Sequence, residues 1–184
     1  DREILALLSF PRTAAEAAAT ERLAAQVHSH HDVTIAAGRV GDGPAEITLS
    51  LTEARLVADA VPGEAGSGNA PVLHRLEDLH LRGLLALLGD DERVRLFVDR
   101  ELAPLRRHDE DHDASPGLVA TVRALVLHPA SKAAAAASLH LSRAAFYDRL
   151  SKIERLLGVD LDDPDVRVSL HVAIVHADLT AARR

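Results

Sequence analysis

"SLHLSRAAFYDRLSKIERLLG", residues 138–158, joins the end of one short apolar helix to the whole of a longer amphipathic one. Counted from Ser142, the residues Phe146, Leu150, Ile153 and Leu157 recur at i, i+4, i+7 and i+11, a stripe that a core must cover. The other side carries Ala144, Ala145, Asp148, Lys152 and Arg155. Ser142 is placed to cap this helix and Gly158 to stop it. The helix before it is about two turns long. The break is Leu-His-Leu-Ser, and small Ala136 stands where the two helices must approach closely. Two arrangements fit: an ordinary helical hairpin, or a helix-turn-helix whose second helix enters a DNA major groove.

In the groove-binding arrangement the roles divide by chemistry. Ser142 and the free amides of the helix start hold a phosphate. Arg143 reaches a guanine or a phosphate, the methyls of Ala144 and Ala145 meet thymine methyls, and Asp148 accepts from cytosine N4. Tyr147 joins this set, while Arg149, Lys152 and Arg155 neutralise backbone charge without choosing sequence. In the plain hairpin Asp148 and Lys152 are an i,i+4 ion pair and Tyr147 packs at the core rim. Charge leans toward the first arrangement. The chain carries −7 overall, yet residues 131–157 hold five basic side chains against Asp148 and Glu154, whereas residues 1–116 hold 12 basic and 21 acidic ones.

Working outward, the second half reads as helices near 116–128, 132–139, 142–157 and 164–182. Ser115-Pro116 and Asp163-Pro164 each set a capping side chain before a proline at the first helical position, and Ser131 is a further N-cap. The first third alternates. "EILALLSF" (3–10), "VTIAAG" (33–38) and "PVLHRL" (71–76) have the apolar runs of strands. Helical patterns at 13–30 and 50–61 separate them, the second opened by a Ser50/Glu53 capping box, and "GEAGSG" (63–68) is a turn. Two more helical segments flank Gly89-Asp90, and "RRHDEDHDASPG" (106–117) reads as a charged loop at a domain boundary. The fold class expected is α+β and mostly helical: a partial α/β domain over 1–88, a helical connector and charged linker over 89–114, and an all-α domain over 115–184.

Composition narrows the classes. Aromatic residues are 2% of the 184, so packing rests on Leu, Val, Ile and Ala. Cysteine is absent, which excludes disulfides, thiolate metal sites and thiol nucleophiles and makes a cytoplasmic location the default. No apolar run is long enough for a membrane span. The chain starts with Asp and has no leader pattern, so it is expected to begin partway through a longer protein.

"AAAAASLHLSRAAFYDRLSKIERLLGVDLDDPDVRVSLHVAI" (133–174) resembles the C-terminal helix-turn-helix of the PucR/CdaR family of bacterial transcription regulators, itself similar to the Fis-type DNA-binding domain. The matching residues are Leu139, Leu141, Arg143, Phe146, Arg149, Leu150, Ile153, Glu154, Gly158, Leu161, Asp163 and Pro164. Ser142, Ala144, Ala145 and Asp148 depart from the family's usual His, Asn, Thr and Tyr, so its operator preferences do not transfer. Earlier segments are similar to the second half of the degenerate GGDEF-like domain that precedes the helix-turn-helix in these regulators. The chain starts about where the glycine-rich hairpin of true cyclases would end. The resemblance implies sequence-specific binding of double-stranded DNA, Arg143, Arg149 and Lys152 as its foremost contacts, a homodimer on a two-fold site, and a small-molecule effector acting through an N-terminal sensor region.

Other chemistry is poorly supplied. "HSHH" (28–31) and "HDEDHD" (108–113) offer imidazoles and carboxylates without a fixed ligand spacing, and both are expected in solvated loops, so no metal or cofactor is assigned. His171 and His176, five apart, do not share a helix face and are expected at an interface or partly buried. No phosphate loop, nucleophile elbow or zincin motif occurs, and no catalytic residue is assigned. The alternative from another class is a helical protein-interaction or signalling module that does not bind DNA.

Overall fold

A computed structural model describes residues 3–10, 16–61, 72–112 and 115–182. Ala- and Leu-rich segments take the conformation their propensity favours, and eight α-helices form among the described residues. The chain divides into two compact units, residues 1–87 with 179–184, and residues 88–178.

The first unit contains α1 (Glu16–His28), α2 (Ile47–Ala60) and nearly all of α3 (Leu81–Leu88). Ala24, Val57, Ala60, Leu85, Ala86 and Leu179 are its buried apolar residues. Arg75 Nη2 pairs with Glu16 Oε1 at 2.6 Å, tying the segment before α3 to the first turn of α1. The expected strands do not form among the described residues. Among the described residues the extended segments meet only at a parallel bridge between Ala36 and His74. Its bonds run from His74 N to Ile35 O and from Ala37 N to His74 O, both 2.9 Å. A strand needs a neighbour along its length to satisfy alternate amides. Residues 3–10 have none, and Ile4 is 91% exposed. The turn over 63–68, and the first residues of the 13–30 and 71–76 segments, lie outside the described residues.

The capping box is also corrected. A 3₁₀ turn, Pro44–Glu46, runs directly into α2, so Ser50 lies a full turn inside the helix. Its hydroxyl donates instead to Arg39 O at 2.7 Å, and Glu53 pairs with the Arg39 guanidinium at 2.6 Å. The two residues together hold the 38–39 segment on the helix. That approach is close: a Cβ on Gly38 would fall 1.8 Å from Ser50 O.

The second unit contains α4 (Glu92–His112), α5 (Leu118–Leu127), α6 (Lys132–Ser138), α7 (Arg143–Leu157) and most of α8 (Pro164–Ala182). Val98, Leu102 and Leu105 of α4 share one core with Leu118, Val122 and Leu125 of α5, Ala135 and Ala136 of α6, Phe146, Leu150 and Ile153 of α7, and Leu170 and Ile174 of α8. Buried Thr121 satisfies its hydroxyl on Gly117 O at 3.0 Å. Gly89, at φ 55°, ends α3, and Asp91 opens α4 by accepting from Arg93 N at 2.8 Å. The Arg93 side chain, bonded to the same carboxylate, holds the Asp91 pKa down to about 2.

The charged stretch expected as a loop is helical through His112. It forms the last turns of α4, and the His108 and His112 rings stack at 4.1 Å as i,i+4 neighbours. Its polarity reflects a solvent-facing helix side, since Glu110 and Asp111 are exposed while Leu102 and Leu105 are buried. The start of α5 is corrected with it. Gly117, not Ser115, is the N-cap, and it offers no side chain. Asp109 of α4 supplies the cap, accepting from Leu118 N at 2.6 Å and Val119 N at 3.0 Å. A Cβ on Gly117 would fall 2.3 Å from that carboxylate, so a larger residue there displaces the cap.

Candidate nucleic-acid interface

The expected boundaries of α6 and α7 hold to within one residue, and the chemistry of their turn is visible. Ser131 Oγ accepts from Ala134 N at 3.1 Å, and Ser142 Oγ accepts from Ala145 N at 3.2 Å. Between them α6 closes with the paired bonds of a Schellman motif, Leu141 N to Ala136 O and His140 N to Ala137 O, both 3.0 Å. His140, at φ 55°, occupies the left-handed position that glycine usually takes. Leu139 and Leu141 on either side of it pack against the core.

That conformation gives a direct expectation. His140→Val puts a β-branched side chain where it is least tolerated and lowers the unfolding free energy by about 1–2 kcal/mol. His140→Gly stays within about 1 kcal/mol of the parent, because relief of strain is offset by a freer unfolded chain. Urea unfolding followed by helical circular dichroism separates the two. Equal losses would show that the turn does not depend on a left-handed residue.

Burial then sorts α7. Phe146 and Ile153 are 0% exposed and Leu150 5%, so the predicted stripe is the buried one. Ser142, Arg143, Ala144, Tyr147 and Asp148 are exposed, and Ala145 and Lys152 half-buried. Asp148 and Lys152 form no ion pair among the described residues. The Arg143 guanidinium lies 5.6 Å from the centre of the Tyr147 ring, and Lys132 Nζ of α6 lies 5.8 Å from it, both within cation–π reach.

Arg149 differs from the other expected contacts. It is half-buried, and its guanidinium donates to Pro116 O, the carbonyl just before the start of α5. That bond ties α7 to the residue before the N-cap of α5. Pattern alone could not show it, because Pro116 is 33 residues away in sequence.

Sequence reasoning also passed over a cluster beside this face. Lys132 Nζ and Arg167 Nη2 approach one oxygen, Asp162 Oδ1, at 2.8 and 2.9 Å. Arg167 Nε also donates to Leu161 O at 2.7 Å. The Lys132 ammonium, by hydrogen bond and by charge, holds the Asp162 carboxyl below its ordinary pKa, with Arg167 adding to the effect.

Among the described residues no group of His, Asp or Glu side chains is assembled to hold a metal ion. Residues 28–31 are exposed at the end of α1, His176 is buried and His171 half-buried. No described helix is long and apolar enough to cross a membrane.

A short helix, a turn with one left-handed residue and a second helix with one side locked into the core and the other presented define a helix-turn-helix protein. Residues 118–175 match the PucR C-terminal helix-turn-helix domain, and residues 1–60 match a GGDEF-like domain. With both in this order, the chain has the two-domain architecture of PucR/CdaR regulators. No curated protein and no solved structure matches it.

Proposed function

We propose that the chain is a sequence-specific, DNA-binding transcription regulator that lays the first turns of α7 in the major groove. The observation that carries this reading is the presented face of α7. Arg143, Ala144 and Asp148 stand exposed over its first turns, while Phe146 and Leu150 anchor the opposite side. Arg143 and Lys152 carry no ion pair among the described residues, so their charge is available to DNA. Small Ala144 and Ala145 let the helix end approach the base edges, Arg143 and Asp148 meet guanine and cytosine, and Ser142 keeps its hydroxyl proton for a phosphate. Tyr147 braces Arg143, and Lys152 contributes backbone affinity.

One such helix makes few base contacts, so the working species is a homodimer on a two-fold site. A small-molecule effector sets its activity through an N-terminal sensor region. The reading assigns the chain no catalytic step. It is tested by binding the full chain to its own upstream DNA at two salt concentrations. Affinity falls steeply with salt, and Arg143→Ala loses about tenfold in affinity, the cost of one good base contact, while unfolding as the parent does. Indifference to DNA, with a protein partner lost on changing Tyr147, would replace this reading by the interaction module.

A further inference from the structure

The ion cluster beside α7 has the form of a receptor for one anionic oxygen. Lys132 and Arg167 come from different helices and converge on the same carboxylate oxygen of Asp162. Both cationic side chains are about two-thirds covered, at 28% and 32% exposure, whereas the Asp162 side chain is 66% exposed. The donors are thus mostly covered and the acceptor is the solvent-facing member. Lys132 also stands against Tyr147, whose ring meets Arg143 of the presented face. The neighbouring carboxylates are occupied by their own loop. Asp160 Oδ1 accepts from Asp162 N at 2.8 Å, and Asp163 Oδ1 accepts from Asp165 N at 2.8 Å.

We propose that Lys132, supported by Arg167, binds a backbone phosphate of DNA outside the groove helix, and that Asp162 is the anion this phosphate displaces. The inference rests on the DNA-binding reading of α7. In the free protein Asp162 keeps the two cations ordered and partly neutralised. On DNA a phosphate oxygen takes over the same donors, and the carboxylate turns out to solvent. The exchange is isosteric at the oxygen, so it requires no movement of α6 or α8. Because a phosphate is the same on every base pair, this contact adds affinity and salt dependence but no sequence preference.

The test uses the full chain and a fluorescently labelled duplex of random sequence, with anisotropy titrations over a series of salt concentrations. Lys132→Ala weakens binding and lowers the slope of log affinity against log salt by about one, the signature of one lost phosphate contact. Lys132→Arg keeps the slope. Asp162→Asn, whose backbone bond to Asp160 is unaffected, strengthens binding about two- to fivefold, the equivalent of releasing an exposed ion pair. If Arg143→Ala weakens binding while Lys132→Ala matches the parent, the phosphate site is wrong and the reading of α7 stands. If Asp162→Asn binds more weakly, the carboxylate orients the cations and does not compete, which overturns the displacement. If the parent binds neither this duplex nor its own upstream DNA, both proposals fall together.

Discussion

Phe146→Ala lowers the free energy of unfolding of the helix-turn-helix unit by about 3–5 kcal/mol. Phe146 is fully buried, the largest such side chain among the described residues, and it lies in the cluster to which α4, α5, α6, α7 and α8 all contribute. Truncation removes the transfer energy of the ring and leaves a cavity that five converging helices cannot close. Phe146→Leu retains most of the volume and costs less than half as much. Chemical denaturation followed by circular dichroism gives both values. A loss below about 1 kcal/mol for the alanine variant would place the centre of the core elsewhere. DNA binding falls with the folded fraction, so the same protein assayed well below its unfolding midpoint keeps its salt slope.

The second large effect is expected where sequence reading would not look for it. Asp109→Ala lowers stability by about 2–3 kcal/mol, because one carboxylate accepts from two amides at the start of α5 and hydrogen bonds to a charged acceptor are the stronger kind. Ser115→Ala, at the residue that pattern favours as the cap, changes it by less than about 0.5 kcal/mol, since Ser115 is exposed and Gly117 holds the capping position. Asp109→Asn falls between the two, keeping an acceptor but losing the charge. The comparison is made by urea unfolding of the three variants side by side. Equal small effects for Asp109→Ala and Ser115→Ala would show that α5 needs no carboxylate cap.

What was legible in the sequence followed the range of the interaction. The ends of α6 and α7 are set by Ser131, Ser142 and Gly158, each acting within four residues of itself, and each is read correctly from its neighbours. The buried stripe of α7 has the same local period and was equally plain. Features made between distant segments were not. Asp109 acts nine and ten residues away and Arg149 acts 33 away, so neither shows in any short window. Ser50 and Glu53 have the spacing of a capping box, but the turn at Pro44–Glu46 starts the helix earlier and frees both for Arg39. The apolar run at 3–10 has the residues of a strand, yet a strand is defined by its partner, and no local pattern contains one.

The shared carboxylate at the α4–α5 junction has a mechanical consequence. With 21 residues, α4 is a rod about 30 Å long, and its far end carries the group that opens α5. The bonds from Leu118 N and Val119 N to Asp109, 2.6 and 3.0 Å long, fix the register of the rod against the start of α5. Pro116, at the same corner, accepts from Arg149 and so anchors α7. α7 is thus fixed to the same corner that joins α4 to α5 and does not hang from the rod as a loose bead.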